Sequence, residues 1–162
     1  MQDKKRILGI DPGTQVTGAG IIEVQTAGEI KHCYHECIKT QRSGSLSSRL
    51  KIIYDGLIAI MEEYRPDEVA LEDIFYSDNV KTAIVMGHAR GVALLAPVSM
   101  GIEPAEYSPR EVKMAVVGNG GASKNQVKFM VERILNLKEE IRSQDAADAL
   151  AVALCHFNRM KY

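Results

Sequence analysis

Cysteine is scarce in this chain of 162 residues: Cys33, Cys37 and Cys155 form an odd set with no C-x-x-C pair. That excludes a paired disulfide framework and fits reduced thiols in a cytoplasmic compartment. An excess of charge is also lacking. Twenty Lys and Arg stand against 21 Asp and Glu, for a formal net charge of −1, far from the balance of an indiscriminate nucleic-acid binder. The start, Met1-Gln2-Asp3-Lys4-Lys5-Arg6, has neither the apolar core nor the small-residue cleavage site of a secretory signal. The most apolar long segment, Ala83 to Met100, is broken by His88 and Arg90 and carries Pro97, so it is expected to be a buried helix and no membrane is needed. No internal repeat or linker divides the chain, and its length suits one α/β domain spanning residues 1–162.

What is present is an ordinary globular mixture, 46% hydrophobic and 25% charged. Arg6 to Asp11 reads as a buried strand. Val16 to Val24 alternates after the turn at Pro12, Gly13 and Thr14, which predicts a hairpin, and Ile30 to Lys39 makes a third strand. His32, Cys33, His35 and Cys37 hint at zinc, but Cys33, His35 and Cys37 alternate as one face of a strand would, so packing explains them equally. Leu46, Leu50, Ile53, Leu57, Ile60 and Met61 recur at helical spacing behind Ser45 or Ser47 as a cap, and the helix should end near Arg65-Pro66. A fourth strand over Glu68 to Asp73, a helix over Asn79 to Leu95 and a fifth strand over Ile102 to Glu106 follow. Ser108-Pro109, Ser123 and Ser143 each read as a helix start. Three meandering strands followed by alternating strands and helices predict a five-stranded mixed sheet flanked by helices.

Asp11 closes the first strand and Glu72 lies near the end of the fourth, where α/β sheets place their ligands. Asp145 and Asp148, three residues apart in the last helix, share nearly one face. Clustered carboxylates repel and raise one another's pKa unless a cation neutralises them. Hard oxygen ligands suit Mg²⁺ or Mn²⁺, and such ions activate water for phosphodiester hydrolysis. Each acid also has a plainer reading. Asp11 can bond its own Pro-Gly turn or belong to a phosphate loop, Glu72 can be a solvated strand end, and the helical pair can complement a helix dipole.

The segments "LGIDPGTQVTGAG" from Leu8, "SRLKIIYDGL" from Ser48, "LEDIFYSDN" from Leu71, "ARGVALLA" from Ala89, "VKMAVVGNGGASKNQV" from Val112 and "QDAADALAVAL" from Gln144 together resemble the RuvC family of Holliday-junction resolvases. The resemblance implies a ribonuclease-H-like fold and a catalytic, metal-binding set of Asp11, Glu72, Asp145 and Asp148. It also implies two Mg²⁺ ions per subunit, with Mn²⁺ as substitute. A homodimer would nick two strands of like polarity across four-way junction DNA, supplied by a branch-migration helicase complex of the RuvA and RuvB type. Some members carry histidine at the position of Asp145, and His88 stands where glutamine is expected.

Between Tyr107 and Val131, Arg110, Lys113, Lys124 and Lys128 face Glu111 alone. The family pattern assigns Lys113 and Lys124 to DNA contact, against the plainer reading of a solvated surface. Phe75 is a candidate DNA-binding wedge at the crossover, with core packing as the rival. "GNGGASK" from Gly118 lacks P-loop spacing and reads as a turn carrying Lys124. The small residues Ala83, Gly87, Ala89, Gly91 and Ala93 suit either close approach of two copies or packing on the sheet. An ATP-binding phosphotransferase remains a rival, although Asp11-Pro12-Gly13-Thr14 misses that loop's spacing and the fold needs two such domains. A non-catalytic junction binder and an RNA-directed nuclease of the same fold also compete with the junction-cutting function.

Overall fold

The computed structural model describes residues 4–73 and 78–160. Strands β1 (Lys4–Asp11), β2 (Val16–Gln25), β3 (Ile30–Lys39), β4 (Glu68–Glu72) and β5 (Ala105–Tyr107) form one sheet in the order β3-β2-β1-β4-β5. The β1–β2 and β2–β3 pairs are antiparallel, whereas β1–β4 and β4–β5 are parallel. Helices α1 (Leu46–Tyr64), α2 (Val80–Ser99), α3 (Pro109–Val117), α4 (Lys124–Ile134) and α5 (Gln144–Met160) complete the described elements. The mixed sheet and its flanking helices match the expected architecture.

Period-two alternation divides the core into two layers. Leu8, Ile10, Ala19, Ile21 and Leu71 pack beneath α1 and α2, while Ile7, Ile22 and Ala70 pack beneath α3, α4 and α5. α5 is the central helix of its layer, buried continuously from Ala149 to Phe157. It settles on glycines: a Cβ on Gly9 would lie 2.0 Å from the Ala149 carbonyl oxygen, and one on Gly18 would lie 2.0 Å from that of Asp145. Bare backbone opposite an alanine-rich helix therefore fixes how close the N-terminal turns of α5 come to the end of β1.

Serines start the helices as the spacing predicts. Ser45 accepts from the Ser48 N–H, and Ser108 with Glu111 and Ser123 with Gln126 form reciprocal capping boxes. α1 stops at Arg65, which takes a left-handed conformation (φ 47°, ψ 63°) before Pro66. The fifth strand begins at Ala105, later than expected, because Pro104 has no N–H to give a ladder.

Two sequence expectations need correction. The register of β3 slips between Ile21 and Ile22, so that Tyr34 and His32 pair with those residues and Cys33 is an extra one. Cys33 consequently packs with the α1–α2 layer and Cys37 with the α5 layer, so Cys33, His35 and Cys37 do not share a face. The second correction concerns α2, which runs to Ser99, through Pro97, and is not buried throughout. Ala89, Ala93, Ala96 and Pro97 are buried, whereas Val80, Ile84, Leu95 and Val98 are exposed. Length and composition alone would let α2 cross a membrane; its packed face lies against α1 and β4.

Candidate active site

Asp11 and Glu72 end adjacent parallel strands, one step beyond the Ile10–Leu71 pair, and alternation directs both toward α5. Asp148 meets them from the second turn of α5. The three carboxylates line a cavity of about 210 Å³ with Lys113 of α3 and Lys124 at the start of α4, and Pro109, Val112, Val127 and Ala151 give it apolar walls. Separate strands and helices thus deliver acids and cations to one crevice at the strand ends.

The electrostatics follow from that crowding. Burial, then the charges of Glu72 and Asp148, push the Asp11 pKa up to about 9, and Asp11 keeps a proton that it donates to Glu72. Burial also raises Glu72, against the relief of that hydrogen bond and of the Lys124 and Lys113 charges. Asp148 is raised by burial and steadied by two partners: Gln144 Nε2 donates to its Oδ1 at 3.0 Å, and Lys124 Nζ stands 3.6 Å from its Oδ2. Asp148 foremost, then Asp11 and Asp145, hold the Lys124 ammonium above its ordinary value.

Asp145 lies outside the cavity lining, although its charge reaches Asp11 and Asp148. Among the described residues no three His, Cys, Asp or Glu side chains already close round one ion. The chemistry of the donor set nevertheless fits a divalent cation: of three largely buried carboxylates, Asp11 and Glu72 share a proton and Asp148 leans on the Lys124 ammonium. Phe75 lies outside the described residues. Lys128, from the same basic stretch, is committed to Glu140 at 2.6 Å. Sequence reasoning missed Gln144, whose i, i+4 spacing to Asp148 was the available signal. A wider groove of about 510 Å³ opens between β3 and residues 139–143, but none of the four expected acids lines it.

The family model for the crossover junction endodeoxyribonuclease RuvC matches residues 7–156. A RuvC of Syntrophotalea carbinolica is 51% identical over 151 residues, covering 93% of this chain and 92% of its own. One from Desulforamulus reducens is 48% identical over 150 residues, covering 93% and 91%. Among solved structures, T. thermophilus RuvC in complex with Holliday junction substrate superposes with a TM-score of 0.89 at 34% identity, covering 97% of this chain and 96% of that one. A yeast mitochondrial Holliday junction resolvase, 14% identical with a TM-score of 0.68 over 94% of this chain and 78% of that one, shares the fold, which is ribonuclease-H-like. The chain belongs to the RuvC family of crossover junction endodeoxyribonucleases.

Proposed function

We propose that this chain resolves Holliday junctions by hydrolysing DNA phosphodiester bonds with Asp11, Glu72 and Asp148 as the acids that hold its divalent metal and Asp145 completing the set. The observation that carries the reading is the cavity itself. Three acids from β1, β4 and α5 meet two lysines in a pocket at the strand ends, and Asp11 is driven to hold a proton there. A deoxyribonuclease of this family is divalent-metal dependent; Mg²⁺, as two ions per subunit with Mn²⁺ as substitute, is the choice that hard carboxylate oxygens support.

When bound, the metal would supply an activated water and stabilise the leaving oxygen of the phosphodiester. The residues divide the remaining work. Asp11, Glu72 and Asp148 would hold the metal as carboxylates, with the Asp11 proton released to solvent, and Gln144 keeps the Asp148 carboxylate in a fixed orientation. Lys124 leaves Asp148 for a strand phosphate, joined by Lys113 from α3. Each lysine thereby contributes salt-dependent affinity and no sequence information.

Symmetric nicking needs two such sites, and α2 offers a face for a second copy. Val80, Ile84, Gly87, Gly91, Leu95 and Val98 fall on one exposed stripe at three- and four-residue spacing. Space is open around Gly87 and Gly91, so two helices can approach closely there. Of the five small residues in this region, Ala89 and Ala93 instead face the sheet. The family also motivates cooperation with a branch-migration helicase complex in the cytoplasm.

The test is cleavage of an end-labelled four-way junction beside linear duplex of the same sequence, with Mg²⁺, Mn²⁺ or EDTA. Paired symmetric nicks in the junction alone, abolished by EDTA, are expected. Equal cutting of linear duplex, or cutting in EDTA, would overturn the reading.

A further inference from the structure

On the other side of the sheet from the acids, a single arginine reaches the strand that carries Glu72. Alternation along β4 sends Glu72 toward α5 and the next residue, Asp73, toward α2. Glu106 of β5 pairs with Leu71 and so lies on that same α2 face. Asp73 and Glu106 are thus like charges on one face of neighbouring parallel strands, two residues apart in register, and a cation between them relieves their repulsion. Arg90 of α2 is that cation: its Nε lies 3.0 Å from Asp73 Oδ1, and its NH2 contacts Glu106 Oε2.

The contact differs from an ordinary surface ion pair. The difference lies on the arginine's side: its side chain is 24% exposed, against 50% for Asp73 and 41% for Glu106. Its Nε is fully buried and, among the described residues, has no acceptor in hydrogen-bonding geometry, despite the nearness of Asp73. Burying a guanidinium N–H without an acceptor costs free energy. The guanidinium therefore gives up part of its own satisfaction to stand where both carboxylates can reach it. Asp73 also adds a rung to the ladder, its N–H donating to the Tyr107 carbonyl at 2.7 Å. That bond lies one residue past Glu72, so what fixes Asp73 also fixes the backbone on which Glu72 sits.

We propose that Arg90 is a positioning residue for catalysis: by clamping Asp73 and Glu106 beneath the sheet, it sets the place of the Glu72 carboxylate above it. The proposal rests on the reading of Glu72 as a metal-holding acid. It also ties the acid site to α2, the helix whose opposite stripe was assigned to the second copy. Pairing of two subunits and placement of Glu72 then share one rigid element.

The experiment measures single-turnover cutting of a four-way junction against Mg²⁺ concentration for the full chain and for Arg90→Gln, Arg90→Lys, Asp73→Asn, the Arg90→Gln/Asp73→Asn double variant and Glu72→Gln. Junction affinity in Ca²⁺ and oligomeric state are measured alongside. A displacement of order 1 Å at a reacting group costs up to about 10²-fold in rate. Arg90→Gln should therefore cut about 10- to 100-fold more slowly, and need several-fold more Mg²⁺ for half-maximal rate, while junction affinity stays within about twofold. Arg90→Lys, which keeps the charge but cannot fork to two carboxylates, should fall between. Asp73→Asn should lose rate in the same direction, and the double variant no more than the worse single one. An unchanged rate and Mg²⁺ dependence in folded, dimeric Arg90→Gln overturns the proposal. So does a rate loss matched by equal losses of junction affinity and dimer, and, should Arg90→Gln not fold, full activity in Asp73→Asn. Glu72→Gln separates the two levels: if it cuts normally, the assignment of Glu72 fails, whereas if it is inactive and Arg90→Gln is normal, only the positioning role fails.

Discussion

Asp11→Asn should make the metal-free protein less sensitive to alkali. The Asp11 pKa rises from 3.8 to about 9 on folding, chiefly through burial and then through Glu72 and Asp148. A group whose folded pKa is raised lends stability that is complete below its unfolded pKa and is lost as pH climbs through the folded value. Each pH unit inside that window costs about 1.4 kcal/mol for one full proton. From pH 5.5 to 8.0 the ceiling is about 3 kcal/mol by this linkage. The proton belongs to the Asp11–Glu72 pair rather than to one residue, so about 2 kcal/mol is a sounder figure. For a chain of this size that corresponds to about 4–8 °C in Tm. In EDTA the wild-type protein should lose that much more Tm than Asp11→Asn between the two pH values, because asparagine cannot ionise. Mn²⁺ at pH 8.0 should restore the wild type and shift Asp11→Asn by less than half as much. Parallel Tm–pH curves for the two proteins, or equal stabilisation of both by metal, would mean that Asp11 holds no such proton.

Lys124→Ala should leave Asp148 without its nearby ammonium and remove one phosphate contact. The slope of log affinity against log salt for junction binding should fall by about 0.9, as read by fluorescence anisotropy at several salt concentrations. Leu95→Glu places a charge in the exposed stripe of α2, at a position 57% exposed. It should yield a folded monomer in analytical ultracentrifugation that no longer nicks both strands in one encounter. Gly9→Ala puts a methyl 2.0 Å from the Ala149 carbonyl oxygen, so α5 must lift. A stability loss of about 1–3 kcal/mol is expected from overpacking, seen by urea denaturation, together with slowed cutting, since Asp148 rides on α5.

Much of this was legible in the sequence, for local reasons. Alternation along residues 6–11 and 16–24, the proline after Arg65 and the serine caps act within a few residues. Capping and strand ends therefore fell close to where the residues indicated. The meeting of Asp11, Glu72 and Asp148 in one cavity was legible because strand ends and helix faces are periodic. What was not legible depended on long-range register. The extra residue at Cys33 turned the Cys33/His35/Cys37 pattern inside out. Pro104 delayed β5. The apolar character of α2 divided between a buried face of small residues and an exposed stripe of large ones, which composition alone cannot separate. Arg90 stood out as a break in an apolar run and within a family segment, but its partners did not, because Asp73 and Glu106 are brought together only by the β4–β5 pairing.

On the proposed reading, the acids at the strand ends do the cutting while other surfaces hold the junction. The most direct measurement runs Glu72→Gln and the wild-type protein side by side on a labelled four-way junction in Mg²⁺, cleavage by denaturing gel and binding by gel shift. Wild-type protein should nick symmetrically, Glu72→Gln should give no detectable nicks, and the two junction affinities should agree within about threefold. Glu72→Gln cutting at the wild-type rate, or losing junction binding in proportion to its loss of cutting, would contradict that reading.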